Sequence, residues 1–280
     1  MTGFERSGKM MCDMHVHSQN SHDSIAKVID TAKACIEKGI FAFAVTDHCD
    51  IHLCEEADVY SMIEGSLNET KEAQSLLGDK IKILKGVEIG EAIWNMGYTQ
   101  RILDGLSFDV IIGSVHGVRY KEYTQSYSTI DFRQMTREDL CGYMEKYFDE
   151  VLETIKTLDC DIVAHLTCPL RYINGKYKLN LDIFANREKI LQILDCIVDK
   201  SLSLELNTSG LGTEHNSFMP DLWILEEYRK RGGYLVTLGS DAHIPENTGK
   251  FFDTAIEMLK KCGFDSYYYY ENRKAVRVAI

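Results

Sequence analysis

The sequence predicts an α/β fold, a closed barrel of seven βα units, and three observations lead there. Short apolar, β-branched runs recur along the whole chain, each followed by a longer segment. The runs are almost continuously hydrophobic, as strands buried on both faces of a parallel sheet are. Histidines and carboxylates collect at the C-terminal ends of these runs, and only a barrel brings all its strand ends together on one face. An open doubly wound sheet would gather only those near a switch point.

The predicted strands are residues 11–17, 41–48, 81–89, 108–116, 161–165, 203–207 and 234–240. Between them, residues 24–38 place Ile25, Val28, Ile29, Ala32, Cys35 and Ile36 on one helical stripe, closed by Gly39. Further helices are predicted at 57–77, 136–158, 181–200, 221–231 and 247–262, with Thr136 and Asp139 spaced as a capping box. Two connections, 117–135 and 166–180, are long for βα loops and are expected to carry substrate contacts. The run from Tyr267 to Tyr270 reads as packing against the barrel rather than as a platform for bases. No composition break marks a boundary, so one domain over 1–280, with a core of about 11–275, is expected.

Composition narrows the function. The 280 residues carry 31 Lys and Arg against 43 Asp and Glu, a net charge of −12. Such a surface repels a phosphate backbone, which disfavours nucleic acid as a partner. No stretch approaches the roughly 20 apolar residues that span a bilayer. The N-terminal segment is interrupted by polar or charged residues and has no export-leader core, so a cytoplasmic protein is expected. Nine scattered cysteines without a C-x-x-C pair fit a reducing compartment and exclude a zinc ribbon; Cys49 and Cys54 match no common metal motif. The sequence is silent on oligomeric state.

Of nine histidines, six (His15, His17, His48, His116, His165 and His243) fall at strand ends, with Asp13, Asp23, Asp47, Glu88 and Asp241 beside them. Strand periodicity puts His15 and His17 on one face, able to chelate one ion, and Asp241 and His243 share that spacing. Asp13 either receives a ligand's second ring N–H or is a plain strand-end carboxylate. A lone strand-end histidine is usually a hydrogen-bonded structural residue. This many ionisable groups in one mouth, left unpaired, would each cost several kcal/mol, and cations are the compensation. Imidazole and carboxylate donors suit zinc, manganese or iron. His22, His52 and His215 read as solvated, with His22 and His215 as candidates for the rim.

In order along the chain, Asp13-x-His15-x-His17, Ser21-x-Asp23-Ser24, Thr46-Asp47-His48, Gly86-Val-Glu88, Gly113-Ser-Val-His116, Ala164-His165 and Gly239-Ser-Asp241-Ala-His243 resemble the PHP (polymerase and histidinol phosphatase) family. The stretches Glu205-Leu-Asn207-Thr-Ser-Gly210 and Glu271-Asn272-Arg273-Lys274 are similar to its histidinol-phosphate phosphatase branch. The resemblance implies a distorted TIM-like (β/α)7 barrel around three divalent transition-metal ions: zinc, iron or manganese. It implies one ion on His15, His17, Glu88 and Asp241, a second on Glu88, His116 and His165, and a third on Asp23, His48 and His243. Glu88, His116 and Asp241 would be the catalytic residues, and the reaction hydrolysis of a small phosphate monoester, L-histidinol phosphate first, by a hydroxide bridging the ions.

One departure stands out. The branch follows Asn-Thr-Ser-Gly with Leu-Arg, whereas this chain reads Gly210-Leu211-Gly212-Thr213. Arg171 matches the branch's other phosphate-binding arginine. Arg119 either supplies the lost charge or is a surface arginine beside Lys121 and Glu122. The alternatives to histidinol phosphate are a nucleotide or sugar phosphate, and a catalytically silent metal-binding module.

Overall fold

The computed structural model describes residues 10–54 and 57–280. The leader-free reading of the N-terminal segment rests largely on residues 1–9, which lie outside the described residues. The strands are β1 Met11–Val16, β2 Ile40–Val45, β3 His48–Asp50, β4 Lys82–Gly90, β5 Val110–Ser114, β6 Ile162–Val163, β7 Ser203–Asn207 and β8 Val236–Gly239, followed by β9 Ser266–Glu271 and β10 Lys274–Ala279. The sheet runs β1-β2-β4-β5-β6-β7-β8, every pair parallel. It closes on itself through a parallel bridge between Val16 and Ala242, where the His17 N–H donates to the Ala242 carbonyl at 2.9 Å. The closure is short, so the barrel is near-closed and distorted rather than round.

The second predicted strand breaks in two. After Val45 the chain turns, and β3 pairs with the upper half of β4, setting His48 opposite Glu88. Asp47 sits in the break, accepting from Ser18 N–H and Oγ at 2.6 and 2.7 Å and from Ser21 Oγ at 2.7 Å. It is thereby committed to the loop after β1 and, through Ser66 Oγ at 2.5 Å, to the segment that follows β3.

The helices are α1 Val28–Glu37, α2 Val59–Leu77, α3 Met96–Gly105, α4 Arg137–Thr157, α5 Arg187–Asp199, α6 Leu222–Lys230 and α7 Phe252–Lys261. The capping box of Thr136 and Asp139 opens α4. That helix buries Leu140, Tyr143, Met144, Tyr147, Phe148, Val151 and Ile155 on one face, each large apolar side chain contributing ~1.5–3 kcal/mol. Gly39 closes α1 at φ 71°, the left-handed conformation glycine adopts without strain. Three predicted helices start late. α1 begins at Val28 because Ser24 is drawn to the mouth, where its hydroxyl donates to the His243 carbonyl at 2.9 Å. α5 and α7 are preceded by 3₁₀ turns, Ile183–Asn186 and Pro245–Asn247. α3 was not expected: two of its ten residues are glycine and only Thr99 and Ile102 are buried, too few apolar positions to show a period.

The tyrosine run becomes β9, one arm of an antiparallel hairpin that caps the N-terminal end of the barrel. No helix among the described residues is long and apolar enough to cross a membrane.

Candidate metal centre

Period-two geometry on β1 does what the spacing requires: His15 and His17 face the same way, their ring centroids 5.1 Å apart. His15 Nδ1–H donates to Glu205 Oε1 at 2.7 Å, and His17 Nδ1 lies 3.1 Å from Ser21 Oγ. Both rings therefore turn Nε2 into the mouth. His15 Nε2 stands 3.3 Å from Glu88 Oε2 and 3.9 Å from Asp241 Oδ1; His17 Nε2 stands 3.7 and 3.3 Å from the same oxygens. Two ligands bound to one tetrahedral zinc at roughly 2.0–2.1 Å lie about 3.3 Å apart, so this quartet has the spread of a single coordination shell.

The other oxygen of Glu88 faces a second group. Glu88 Oε1 lies 3.1 Å from His116 Nε2 and 2.9 Å from His165 Nε2, and the two nitrogens are 3.4 Å apart. Nearer the rim, Asp23 Oδ1 is 3.6 Å from His48 Nε2 and Asp23 Oδ2 is 3.1 Å from His243 Nε2. His48 straddles two groups, because its Nδ1 lies 2.9 Å from Glu88 Oε2. All nine residues read from the sequence as ligands thus meet in one place.

His15 Nε2, His17 Nε2, His48 Nδ1, Glu88 Oε2 and His243 Nε2 are buried without an acceptable hydrogen bond. Five such atoms converging in one mouth is far outside the ordinary rate for buried polar groups. Divalent cations would satisfy them, and the nitrogen and oxygen donor set suits a transition metal. Protonation patterns respond to the same crowding. Burial opposes charge on His15 and His116, but Glu205, Glu88, Asp241 and Asp50 outweigh it and hold both well above the usual imidazole range. His48 is raised to about 10 against its burial by Asp50 and Glu88. His17 moves the other way, lowered by burial and by His48 and His243. Burial would raise Glu88, yet His116, His15 and His48 carry it well below the usual carboxylate range.

Behind the donors stand carboxylates that the sequence reading did not single out. Asp50 Oδ1 accepts from His116 Nδ1–H at 2.9 Å. The space for that contact exists because residue 90 is glycine: a Cβ there would come within 3.1 Å of His116 Nδ1. Glu205, which holds His15, also accepts the His165 N–H through Oε2 at 2.6 Å. Of the two roles open to Asp13, the plain one is realised. It accepts from Ser240 N–H at 2.9 Å, Ser240 Oγ at 2.5 Å and Gly249 N–H at 2.8 Å, tying β1 to the end of β8; burial raises its carboxyl to about 6.

The mouth opens into a cleft of about 890 Å³, lined among others by Trp94, the 124–129 loop, Tyr172 and Phe251. Arg171 lies in its wall on a single π-helical turn, Arg171–Lys176, and donates to Ser209 Oγ at 3.2 Å; Ser209 in turn donates to Asp241 Oδ2 at 3.2 Å. Arg119 does not line the cleft. It is exposed and lies on the outer side of a lining residue, its guanidinium 4.5 Å from the Trp94 ring centre. Gly212 has φ 72°, and a Cβ there would sit 3.0 Å from the Phe251 ring, so an aromatic face occupies the space beside this position. His22 is at the rim as expected, its ring 5.3 Å from that of His48. His215 is not in the cleft wall. His52, read as solvated, is in it, with Nδ1 2.6 Å from Glu91 Oε2.

Residues 13–209 match the model of the PHP domain. The chain is 30% identical to a probable histidinol-phosphatase of Thermotoga maritima over 275 residues, spanning 96% of this chain and all of that one. It is 28% identical to a histidinol-phosphatase of Lactococcus lactis, covering 90% and 91% of the two chains. Its fold is similar to the crystal structure of histidinol phosphate phosphatase from Lactococcus lactis complexed with zinc, L-histidinol and phosphate. That likeness has a TM-score of 0.77 and 23% identity, over 96% of this chain and all of the other. The strand-end histidines and carboxylates meet at the mouth of this barrel in the order the family pattern sets out, and the chain belongs to the PHP domain family.

Proposed function

We propose that the chain is a metal-dependent phosphomonoesterase that converts L-histidinol phosphate and water to L-histidinol and phosphate, with three divalent transition-metal ions in its mouth. The observation that carries this reading is the convergence of unpartnered buried atoms of His15, His17 and Glu88, with Asp241, beneath a cleft whose wall holds Arg171. The near full-length relatives named histidinol-phosphatase support the choice of substrate. Free thiols at all nine cysteines suit the cytoplasm.

One ion is assigned to His15, His17, Glu88 and Asp241, a second to Glu88, His116 and His165, and a third to Asp23, His48 and His243. Such ions supply Lewis acidity, lowering the pKa of water toward neutrality and offsetting the charge of phosphoryl oxygens. The protein's part is orientation. Glu205 and Asp50 take the Nδ1–H of His15 and His116, which fixes the tautomer and leaves each Nε2 lone pair facing the mouth. The Arg171 fork donates to the non-bridging oxygens of the substrate, with Ser209 setting its position relative to Asp241.

A nucleotide or sugar phosphate is the second reading, and one observation favours it. Among the described residues the carboxylates lining the cleft are Asp23, Asp50 and Asp241, each engaged by histidine, so no other described acid lines the wall to receive a substrate ammonium group. Ranking kcat/KM over a panel of phosphate monoesters decides between them. L-histidinol phosphate is expected to lead; a sugar or nucleoside phosphate ahead by tenfold would replace it. Metal-loaded protein that releases phosphate from none of them would be a silent module.

A further inference from the structure

Hydrolysis of an aliphatic phosphate ester expels an alkoxide, a poor leaving group unless a proton reaches its oxygen as the P–O bond breaks. The groups assigned so far do not offer one: the donor imidazoles present lone pairs to the mouth, and a guanidinium does not give up its proton. Two cleft histidines, His22 and His52, stand outside the donor sets. His22 is exposed, with no hydrogen bond fixing its ring among the described residues.

His52 is held from three sides. It sits on the 3₁₀ turn Ile51–Leu53 directly after β3, and its Nδ1–H donates to Glu91 Oε2 at 2.6 Å. Glu91 is fully buried, at a left-handed φ of 48°. Its other oxygen accepts the backbone N–H groups of His116 and, at 2.8 Å, Gly117, so the carboxylate cannot swing away. Trp94 meets the imidazole edge to face at 6.1 Å and is itself pinned by its indole N–H to Glu150 Oε2 at 2.8 Å. Among the described residues nothing pairs with His52 Nε2, and the side chain, 16% exposed, lies in the cleft wall. A buried carboxylate on one ring nitrogen and an open cleft on the other is the arrangement of a positioned proton donor.

We propose that His52, oriented by Glu91, is the general acid of the reaction, donating its Nε2 proton to the ester oxygen. The P–O ester bond breaks with its electron pair going to that oxygen, which takes the proton and leaves as the alcohol. Water forms the new P–O bond, releasing one proton and keeping the other on phosphate, and His52 recovers a proton from solvent. Burial and His116 work against charge on the ring, but Glu91 and Asp50 outweigh them, so it stays protonated at higher pH than a free imidazole. The assignment rests on the phosphomonoesterase reading.

The test compares wild type with H52A and H52Q on p-nitrophenyl phosphate, phenyl phosphate, glycerol 2-phosphate and L-histidinol phosphate, with metal content measured for each protein. The ratio of kcat on the two alkyl esters to kcat on the p-nitrophenyl ester should fall by about 10²-fold or more in both variants, phenyl phosphate falling between, at unaltered metal content. A ratio equal to that of wild type, or a loss confined to L-histidinol phosphate while glycerol 2-phosphate keeps its rate, overturns the assignment and leaves the phosphatase reading intact. Wild type that hydrolyses none of the four overturns both.

Discussion

Both ends of the barrel bury polar groups, and they treat them in opposite ways. At the hairpin end, Tyr267 donates to the Met10 carbonyl at 2.7 Å and accepts the Cys12 N–H at 3.0 Å, while Tyr270 pairs with Ser203 Oγ at 2.9 Å. Asp161 accepts from Ile111 N–H at 2.8 Å and Arg273 Nε at 2.5 Å, and Asp109 from Lys85 N–H at 2.9 Å and Asn272 N–H at 3.1 Å. Donors and acceptors there match. At the mouth they do not: imidazole nitrogens and carboxylate oxygens face one another with five buried atoms lacking a hydrogen bond. A closed polar network stabilises a fold, whereas an open one at the same depth requires a ligand. That contrast supports the mouth as the proposed site and a structural role for the hairpin end.

Changes at the mouth should therefore remove activity at little cost to folding, and changes at the hairpin the reverse. The largest effect belongs to Glu88→Gln, which removes the charge shared by two donor sets. Several kcal/mol of charge stabilisation correspond to a loss of roughly 10³-fold in kcat, accompanied by loss of bound metal and a retained circular dichroism spectrum. An active, metal-replete variant would break the contrast. Next comes Arg171→Ala. One charge-assisted hydrogen bond is worth about 1.5–3 kcal/mol, so KM for the phosphate ester should rise by roughly 10- to 100-fold. An unaltered KM would discard Arg171 as a phosphate ligand.

pH separates the metal-free from the metal-loaded mouth. Without metal, His15, His116 and His48 hold their protons above the unfolded imidazole value of about 6.5, His48 up to about 10. Their contribution to stability is present below pH ~6.5 and is lost as pH rises toward 10. His17 has the opposite sign: its lowered pKa makes a contribution that is present above pH ~6.5 and is lost as pH falls below that value. The Tm of chelated protein should fall between pH 7 and 10. Metal-loaded protein should lack this fall, because its ligands bind metal deprotonated. Parallel Tm curves for the two forms would contradict the ligand assignment. The smallest effect is Tyr270→Phe at the other end, expected to cost about 1 kcal/mol in denaturant unfolding and leave kcat/KM at the wild-type value.

The same contrast explains what the sequence made legible. Strand runs and strand-end histidines are local patterns, so the barrel strands and the gathering of histidines and carboxylates at their ends could be read directly, down to the phase of His15 with His17. Partners chosen across the barrel could not. Glu205 reaches His15 from 190 residues away, and Asp50 reaches His116 only because β2 breaks and β3 realigns on β4. Asp13, two residues from His15, had two roles open to it in the sequence and is taken by Ser240 and Gly249. Arg119, three residues after His116, packs its guanidinium on Trp94 instead of lining the cleft, whereas His52 lies in the cleft wall with Glu91, a residue that no strand pattern marks. α3 stayed hidden because it buries too little apolar surface to impose a period.

The most direct measurement is the metal content of purified wild-type protein by elemental analysis, before and after chelation, with phosphate release followed on the same samples. Two to three equivalents of transition metal per chain, with hydrolysis lost on chelation and restored by adding the ion back, is the expected outcome. Protein that carries no metal, takes none up, and hydrolyses phosphate esters at the same rate in the presence of chelator would contradict a metal-binding mouth.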